Sequence, residues 1–206
     1  TGRIGIIYKE NKYGEELAQY FKLLNIPVYN KRHLNILELP LAQKIILVLK
    51  YLAAEHDVPY SGDEMLFEIL HFEWFVIPPI EIAKLTMEVA DRRYNDKKVS
   101  IRQLLFEKAN LPAKDLFSVN LHEGLKKASA IIEKLVADVS NATLQHLFEN
   151  IIREAGVLSH IMQSTDKHWQ LQILTGLFDF VKDETHRTPS LNLQGFVNLI
   201  ELMEKE

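Results

Sequence analysis

Residues 36–54, ILELPLAQKIILVLKYLAA, contain the longest nearly apolar run of the sequence and decide how the body of the chain folds. The apolar side chains that recur at the spacing of one helix face are Leu41, Ile45, Val48, Leu49 and Leu52. This spacing predicts an amphipathic helix whose apolar face is packed in a protein core. The run is too short, and too interrupted by lysine, to span a bilayer, so we expect no membrane partner.

Helical spacing continues through most of the chain that follows. Pro79 suits the first turn of a helix that reaches about Arg93. Ser100 and Gln103 have the spacing of a capping box at the start of another helix. A helix that begins near Ala142 is expected to end at Gly156, because glycine favours the left-handed backbone that closes helices. These signals predict a helical body of about eight helices.

The first 32 residues, TGRIGIIYKENKYGEELAQYFKLLNIPVYNKR, have a different pattern. Residues 3–8 are rich in isoleucine and favour a buried strand, a helical pattern follows from Glu15, and residues 27–29 favour a second short strand. The expected fold class is therefore mainly α, with a short N-terminal βαβ piece before the helical body. Because a lone parallel pair of strands is unstable, we expect a fragment cut from a larger protein. The predicted domains are residues 1–37 and 38–206.

Composition limits the chemistry that is open to this chain. The 206 residues carry a net charge of −4, which gives no overall attraction to a polyanion, although a local basic patch is still able to bind one. There is no cysteine, so disulfides and thiolate nucleophiles are excluded, and a cytoplasmic location is expected. The eight histidines are scattered, and we predict neither a metal site nor a catalytic set.

Two groups of residues are candidates for binding. Tyr8 and Lys9 follow the first predicted strand, where a tyrosine can stack on a base and a lysine can reach phosphate oxygens, and the alternative is a solvated strand end. The second group is a basic stretch, DRRYNDKKVSIR, at residues 91–102, which can grip a phosphate backbone or form a solvated loop. Its cations are Arg92, Arg93, Lys97, Lys98 and Arg102.

The N-terminal segment resembles motif IV and its sequel in superfamily 1 DNA helicases of the UvrD/Rep type. In that family an apolar strand ends in Tyr-Arg-x-Asn, and a helix and a GIPY strand follow. The matching residues here are Ile4–Tyr8, Lys9, Asn11 and NIPVY at residues 25–29. Residues 36–54 are similar to the segment that leads into the 2B insertion of these helicases. The later stretches at residues 144–157, 176–184 and 190–203 are similar to the closing helices of that insertion.

The resemblance implies that residues 1–37 are part of the RecA-like motor domain 2A and that residues 38–206 are the helical 2B accessory domain. It implies a parent protein that hydrolyses ATP with Mg²⁺, unwinds DNA from 3′ to 5′ at single-strand/duplex junctions and serves DNA repair. Tyr8 would stack on the adenine, and Lys9, in place of an arginine, would lie near the γ-phosphate without the planar fork. No GxxxxGK[ST] motif is present, so the isolated fragment is not expected to be active. The other motor domains of the parent are its expected partners.

One departure from the family leaves a second reading open. UvrD-like 2B domains carry a TPxRGIG loop that touches duplex DNA, whereas residues 69–85, ILHFEWFVIPPIEIAKL, contain neither glycine nor arginine. This region is more similar to RecB and AddA nuclease-helicases. The alternative function is therefore a helical module that binds a protein partner without direct contact to DNA.

Overall fold

The computed structural model describes residues 5–9, 11–24, 26, 35–94, 99–110 and 121–204. The chain divides into two units, residues 1–35 and residues 36–206. Among the described residues, no helix is both long enough and apolar enough to cross a membrane. The assignment of residues 1–37 and 38–206 to two helicase domains stays a prediction.

The described part of the N-terminal unit contains one helix, α1 (Asn11–Leu23), and no strand. The predicted βαβ piece is therefore wrong. Residues 5–8 have an irregular backbone, and the side chains of Ile6 and Ile7 are 50% and 100% exposed. A strand is stable only where a neighbouring strand completes its backbone hydrogen bonds, and none of the described residues offers one. The predicted second strand, at residues 27–29, lies outside the described residues.

The helical unit confirms the mainly α prediction, with nine α-helices in its described residues. The helix that the sequence pattern missed is α8, because seven residues are too few to show a period. Two 3-10 helices are also present, at Ile36–Glu38 and Glu73–Phe75. The α-helices are α2 (Pro40–Asp57), α3 (Asp63–Leu70), α4 (Pro79–Tyr94), α5 (Ile101–Asn110), α6 (Glu123–Val139), α7 (Leu144–Glu154), α8 (Val157–Gln163), α9 (Lys167–Arg187) and α10 (Leu193–Met203).

Helix α2 lies at the centre of this unit and packs against α3, α6, α9 and α10. Ile45 and Leu49, on the predicted apolar stripe, are fully buried. Ile46, Tyr51 and Ala53 lie off that stripe and are buried as well. A helix that is apolar on most of its circumference is stable only when other elements enclose it. The body of the protein is thus a layer of helices around α2, and the core is continuous with its side chains.

The helix ends follow the local signals of the sequence. Helix α4 begins at Pro79, and the Ser100 hydroxyl accepts a 3.0 Å hydrogen bond from the backbone N–H of Gln103 at the start of α5. Gly156 has a φ of +85° between α7 and α8, a left-handed conformation that a side chain would strain. These residues set the ends of α4 and α5 and the turn between α7 and α8.

A chain that lacks residues 1–35 is expected to fold. All the residues of the helical core belong to the second unit, so removal of the first leaves that core intact. The truncated chain should show a single cooperative thermal transition by circular dichroism, with a midpoint close to that of the full chain. A broad, non-cooperative transition would show that the helical unit needs the N-terminal residues for its core.

Candidate nucleic-acid interface

The basic segment predicted from the sequence joins α4 to α5. Arg92 and Arg93 lie in the last turn of α4, and Arg102 is the second residue of α5. Lys97 and Lys98 lie outside the described residues. The question for this segment is where the three described guanidinium groups point, because a phosphate contact needs a cation that is exposed and available.

Arg92 is held between two carboxylates. Its Nη2 donates a 2.9 Å hydrogen bond to Glu88 on the same helix, and its Nη1 donates one of 2.9 Å to Glu107 on α5. Glu88 is also 2.6 Å from the ammonium of Lys108. The hydrogen bond to Glu107 raises the pKa of Arg92 above its ordinary value. This network of four charges holds α4 against α5.

Arg93 also bonds to groups within the helical unit. Its guanidinium hydrogen-bonds to the carboxylate of Asp63, the first residue of α3, and to the backbone carbonyl of Val99 at 3.1 Å. The other oxygen of Asp63 accepts a 2.8 Å hydrogen bond from the backbone N–H of Ile101. Asp63 therefore joins the start of α3 to the end of α4 and the start of α5.

Arg102 is the most deeply buried of the three arginines, with 9% of its surface exposed. It forms a bidentate pair with Glu133 of α6, at 2.8 and 2.7 Å, and a 2.6 Å hydrogen bond with Glu55 of α2. Its guanidinium also lies over the ring of Tyr60, 5.2 Å from the centroid. The hydrogen bond to Glu133 raises the pKa of Arg102, burial opposes that rise, and the bond to Glu55 adds to it. The arginine is a charged centre between three helices.

The loop between α2 and α3 completes the surroundings of Glu55, which is 2% exposed. The backbone N–H groups of Tyr60 and Gly62 each donate a 2.9 Å hydrogen bond to its carboxylate. A Cβ at Gly62 would lie 2.6 Å from the ring of Tyr51, so the loop passes too close to α2 for a side chain. Burial, and then the charge of Glu55, raise the pKa of the Tyr51 phenol. We name Glu55, Arg102 and Glu133 the ion-pair triad, of which Glu55 and Arg102 are buried.

The three described arginines of the segment therefore do not form one exposed basic surface. Each of them is paired with a carboxylate of the same unit, and Arg102 is nearly inaccessible. The sequence pattern missed these partners because Glu55, Asp63 and Glu133 are far from the basic segment along the chain. Two signals were present: Glu88 lies four residues before Arg92, which is the spacing of an ion pair on one helix, and Glu55 follows an apolar run directly, where a carboxylate at the edge of a core needs a cation.

The second pair of predicted site residues lies in the N-terminal unit. Tyr8 is 37% exposed, and its ring lies so close to the backbone of α1 that a Cβ at Gly14 would be 2.1 Å from Cζ. Lys9, the next residue, is exposed. The role of Tyr8 and Lys9 in binding ATP stays a prediction.

A surface cavity of about 390 Å³ lies away from the basic segment, where the start of α7 faces the loop between α9 and α10. Several of its polar groups already have internal partners: Asn192 caps α10, Thr143 caps α7, and Gln145 donates to Thr185. Within the described ranges, no group of three or more histidine, aspartate or glutamate side chains is placed to hold a metal ion.

Comparison with known proteins gives no family for this chain. No protein-family model matches it, and a search of the curated proteins found no significant relative.

Replacement of Arg102 by alanine should destabilise the fold by about 3–5 kcal/mol, because it leaves Glu55 buried without a counter-charge. The measurement is the free energy of unfolding in urea. The matched control is Arg153→Ala, since the Arg153 side chain is 73% exposed and its loss should change stability by less than about 0.5 kcal/mol. Equal effects of the two substitutions would refute a structural role for the triad.

Proposed function

We propose that this chain is part of an ATP-dependent superfamily 1 DNA helicase of the UvrD/Rep type, with residues 38–206 as its 2B accessory domain. The observation that carries the proposal is the order of two features. A motif IV-like sequence with Tyr8, Lys9 and Asn11 is followed directly by a separate helical unit. In the parent enzyme, ATP and Mg²⁺ would bind to the motor domains, and a cytoplasmic location fits DNA as the substrate. The helical unit would position the DNA or regulate the motor.

The second candidate is a helical module that binds a protein partner in a nuclease-helicase of the RecB/AddA type. A specific observation favours it. Arg92, Arg93 and Arg102, the described cations of the densest basic segment, are already paired with carboxylates of the same chain. These pairs occupy part of the hydrogen-bonding capacity that a contact with DNA phosphates would need. Under the helicase proposal, in contrast, Lys97 and Lys98 are the remaining candidates within the segment for contact with duplex DNA.

The helicase proposal is tested in the parent enzyme through Tyr8. Loss of a stacked aromatic ring costs about 1–3 kcal/mol, so Tyr8→Ala should raise the KM for ATP roughly tenfold. Tyr8→Phe keeps the ring and should leave the KM near the wild-type value. Steady-state ATP hydrolysis at saturating single-stranded DNA gives both values. If Tyr8→Ala also has a wild-type KM, then Tyr8 does not stack on the adenine and the motif IV assignment fails.

The salt dependence of duplex binding distinguishes the two roles of the helical unit. If the segment contacts DNA, Lys97→Ala/Lys98→Ala should lower the slope of log affinity against log salt by up to roughly 1.8, about 0.9 for each phosphate contact. Arg92→Ala/Arg93→Ala should instead lower thermal stability and leave the slope unchanged, because these arginines are paired within the fold. Lys126→Ala/Lys127→Ala, on α6, is a control that removes the same charge. An unchanged slope in all three variants would favour protein binding.

A further inference from the structure

Helix α4 is apolar on two opposite sides. On one side Ile82, Leu85 and Val89 are 0%, 3% and 4% exposed and pack into the core of the helical unit. On the other side, Ile80 and Met87 are 61% and 66% exposed. A surface helix of a globular protein ordinarily has charged or polar residues on the side that faces water. Packing among the described residues of the helical unit therefore does not account for the second apolar side of α4.

The exposed side has the spacing of a coiled-coil seam. Its apolar residues recur at alternating spacings of three and four along the whole helix. The apolar positions of a coiled-coil heptad have the same spacing. Tyr94, at the end of the row, is 91% exposed. Single apolar residues on a surface are common, but a continuous row over four turns indicates an interaction site. We define the α4 seam as Ile80, Ala83, Met87, Ala90 and Tyr94.

We propose that the α4 seam binds the α4 seam of a second copy of this chain, with the two helices antiparallel. The sizes of its side chains are complementary in this orientation. Met87 of one copy faces Ala90 of the other, and Tyr94 faces Ala83, so these two large side chains each meet a small one, whereas Ile80 lies outside the stretch where the two α4 helices overlap. Parallel helices in register would set Tyr94 against Tyr94 and Ala83 against Ala83, which leaves clashes beside gaps. Close packing requires large and small groups to interdigitate.

Charge selects the same register. Lys84 and Asp91 are exposed and lie on the same flank of the seam. When two such helices pair antiparallel, this flank of one copy lies beside the same flank of the other. The proposed register sets Lys84 of each copy opposite Asp91 of the other. A slip of one heptad would set Lys84 against Lys84 in one direction and Asp91 against Asp91 in the other. Lys84 also pairs with Glu81 of its own helix at 2.7 Å, and Asp91 likewise interacts within its own chain, so the second copy would add a further partner to each.

The proposed interface is small. A helix of 16 residues is about 24 Å long, and one helix pair buries less surface than a standard protein–protein interface. Association should therefore depend on concentration, with monomers at about 5 µM and a dimer at about 200 µM. The proposal concerns a surface of the helical unit only and holds whichever function the parent protein has.

The first experiment is sedimentation velocity of the 206-residue chain at these two concentrations. The weight-average mass should approach that of a dimer at the higher one. Ala90→Glu should keep the chain monomeric, whereas Leu202→Glu, at an exposed apolar residue of α10, should dimerise like the wild type. A thermal scan of each variant confirms that it is folded. A monomeric wild type, or a dimer that Ala90→Glu does not change, would overturn the proposal.

The second experiment tests the orientation and the register. Lys84→Asp should abolish dimerisation, because it sets a second carboxylate against that of Asp91, and Lys84→Asp/Asp91→Lys should restore it.

Since the chain has no cysteine, Ala83→Cys and Tyr94→Cys introduce unique thiols for a short bifunctional maleimide. The mixture of the two variants should form a covalent dimer, and Ala83→Cys alone should not. Efficient cross-linking of Ala83→Cys alone, or no rescue by the double charge exchange, would contradict the antiparallel pairing.

Discussion

The burial of one carboxylate, that of Glu55 on α2, is the constraint on which the arrangement of the helices depends. Because α2 is surrounded by other helices, this carboxylate is removed from water, which costs several kcal/mol unless a charge and hydrogen-bond donors replace the lost solvation. Arg102 provides the charge, and Tyr60 and Gly62 provide the donors. The α2–α3 loop and α5 are thereby fixed against α2. Arg102 also donates hydrogen bonds to Glu133, which joins α5 to α6.

This constraint also decides how the basic segment is used. A count of positive charges along residues 91–102 predicts a phosphate-binding surface, but charge density along a sequence does not show whether the cations face solvent. In the folded chain, Arg92 and Arg93 hold α4 to α5 and α3, and Arg102 is paired with Glu55 and Glu133. The segment therefore works first as a clamp between helices. Under the helicase proposal, any duplex contact at this place falls to Lys97 and Lys98.

The sequence was informative where structure depends on local interactions. The apolar spacing of α2, Pro79 at the start of α4 and Ser100 at the start of α5 involve residues within one or two turns of each other, and the helices form where they were predicted. Prediction failed where the partner is distant in the chain. The apolar residues at 5–8 look like a strand, but a strand exists only through its neighbours, and the described residues supply none.

At the candidate site, too, the sequence did not predict contacts between residues that are distant in the chain. Glu55 and Arg102 are 47 residues apart, and no spacing rule connects them. The basic segment was correctly recognised as the densest group of cations, whereas its pairing with Asp63, Glu107 and Glu133 required the fold to be known. The opposite case is the α4 seam, whose heptad spacing is legible in the sequence but becomes informative only once the structure shows that this side of the helix faces outward.

A double-mutant cycle on Glu55 and Arg102 measures how strongly these two side chains stabilise each other in the core. The free energy of unfolding in urea is measured for the wild type, Glu55→Gln, Arg102→Met and the double variant. If the two groups neutralise each other in the core, each single substitution is strongly destabilising and the double variant recovers part of the loss, with a coupling energy of about 2 kcal/mol or more. Effects that add to within about 0.5 kcal/mol would show that the two side chains act independently, and would contradict the triad as the basis of the fold.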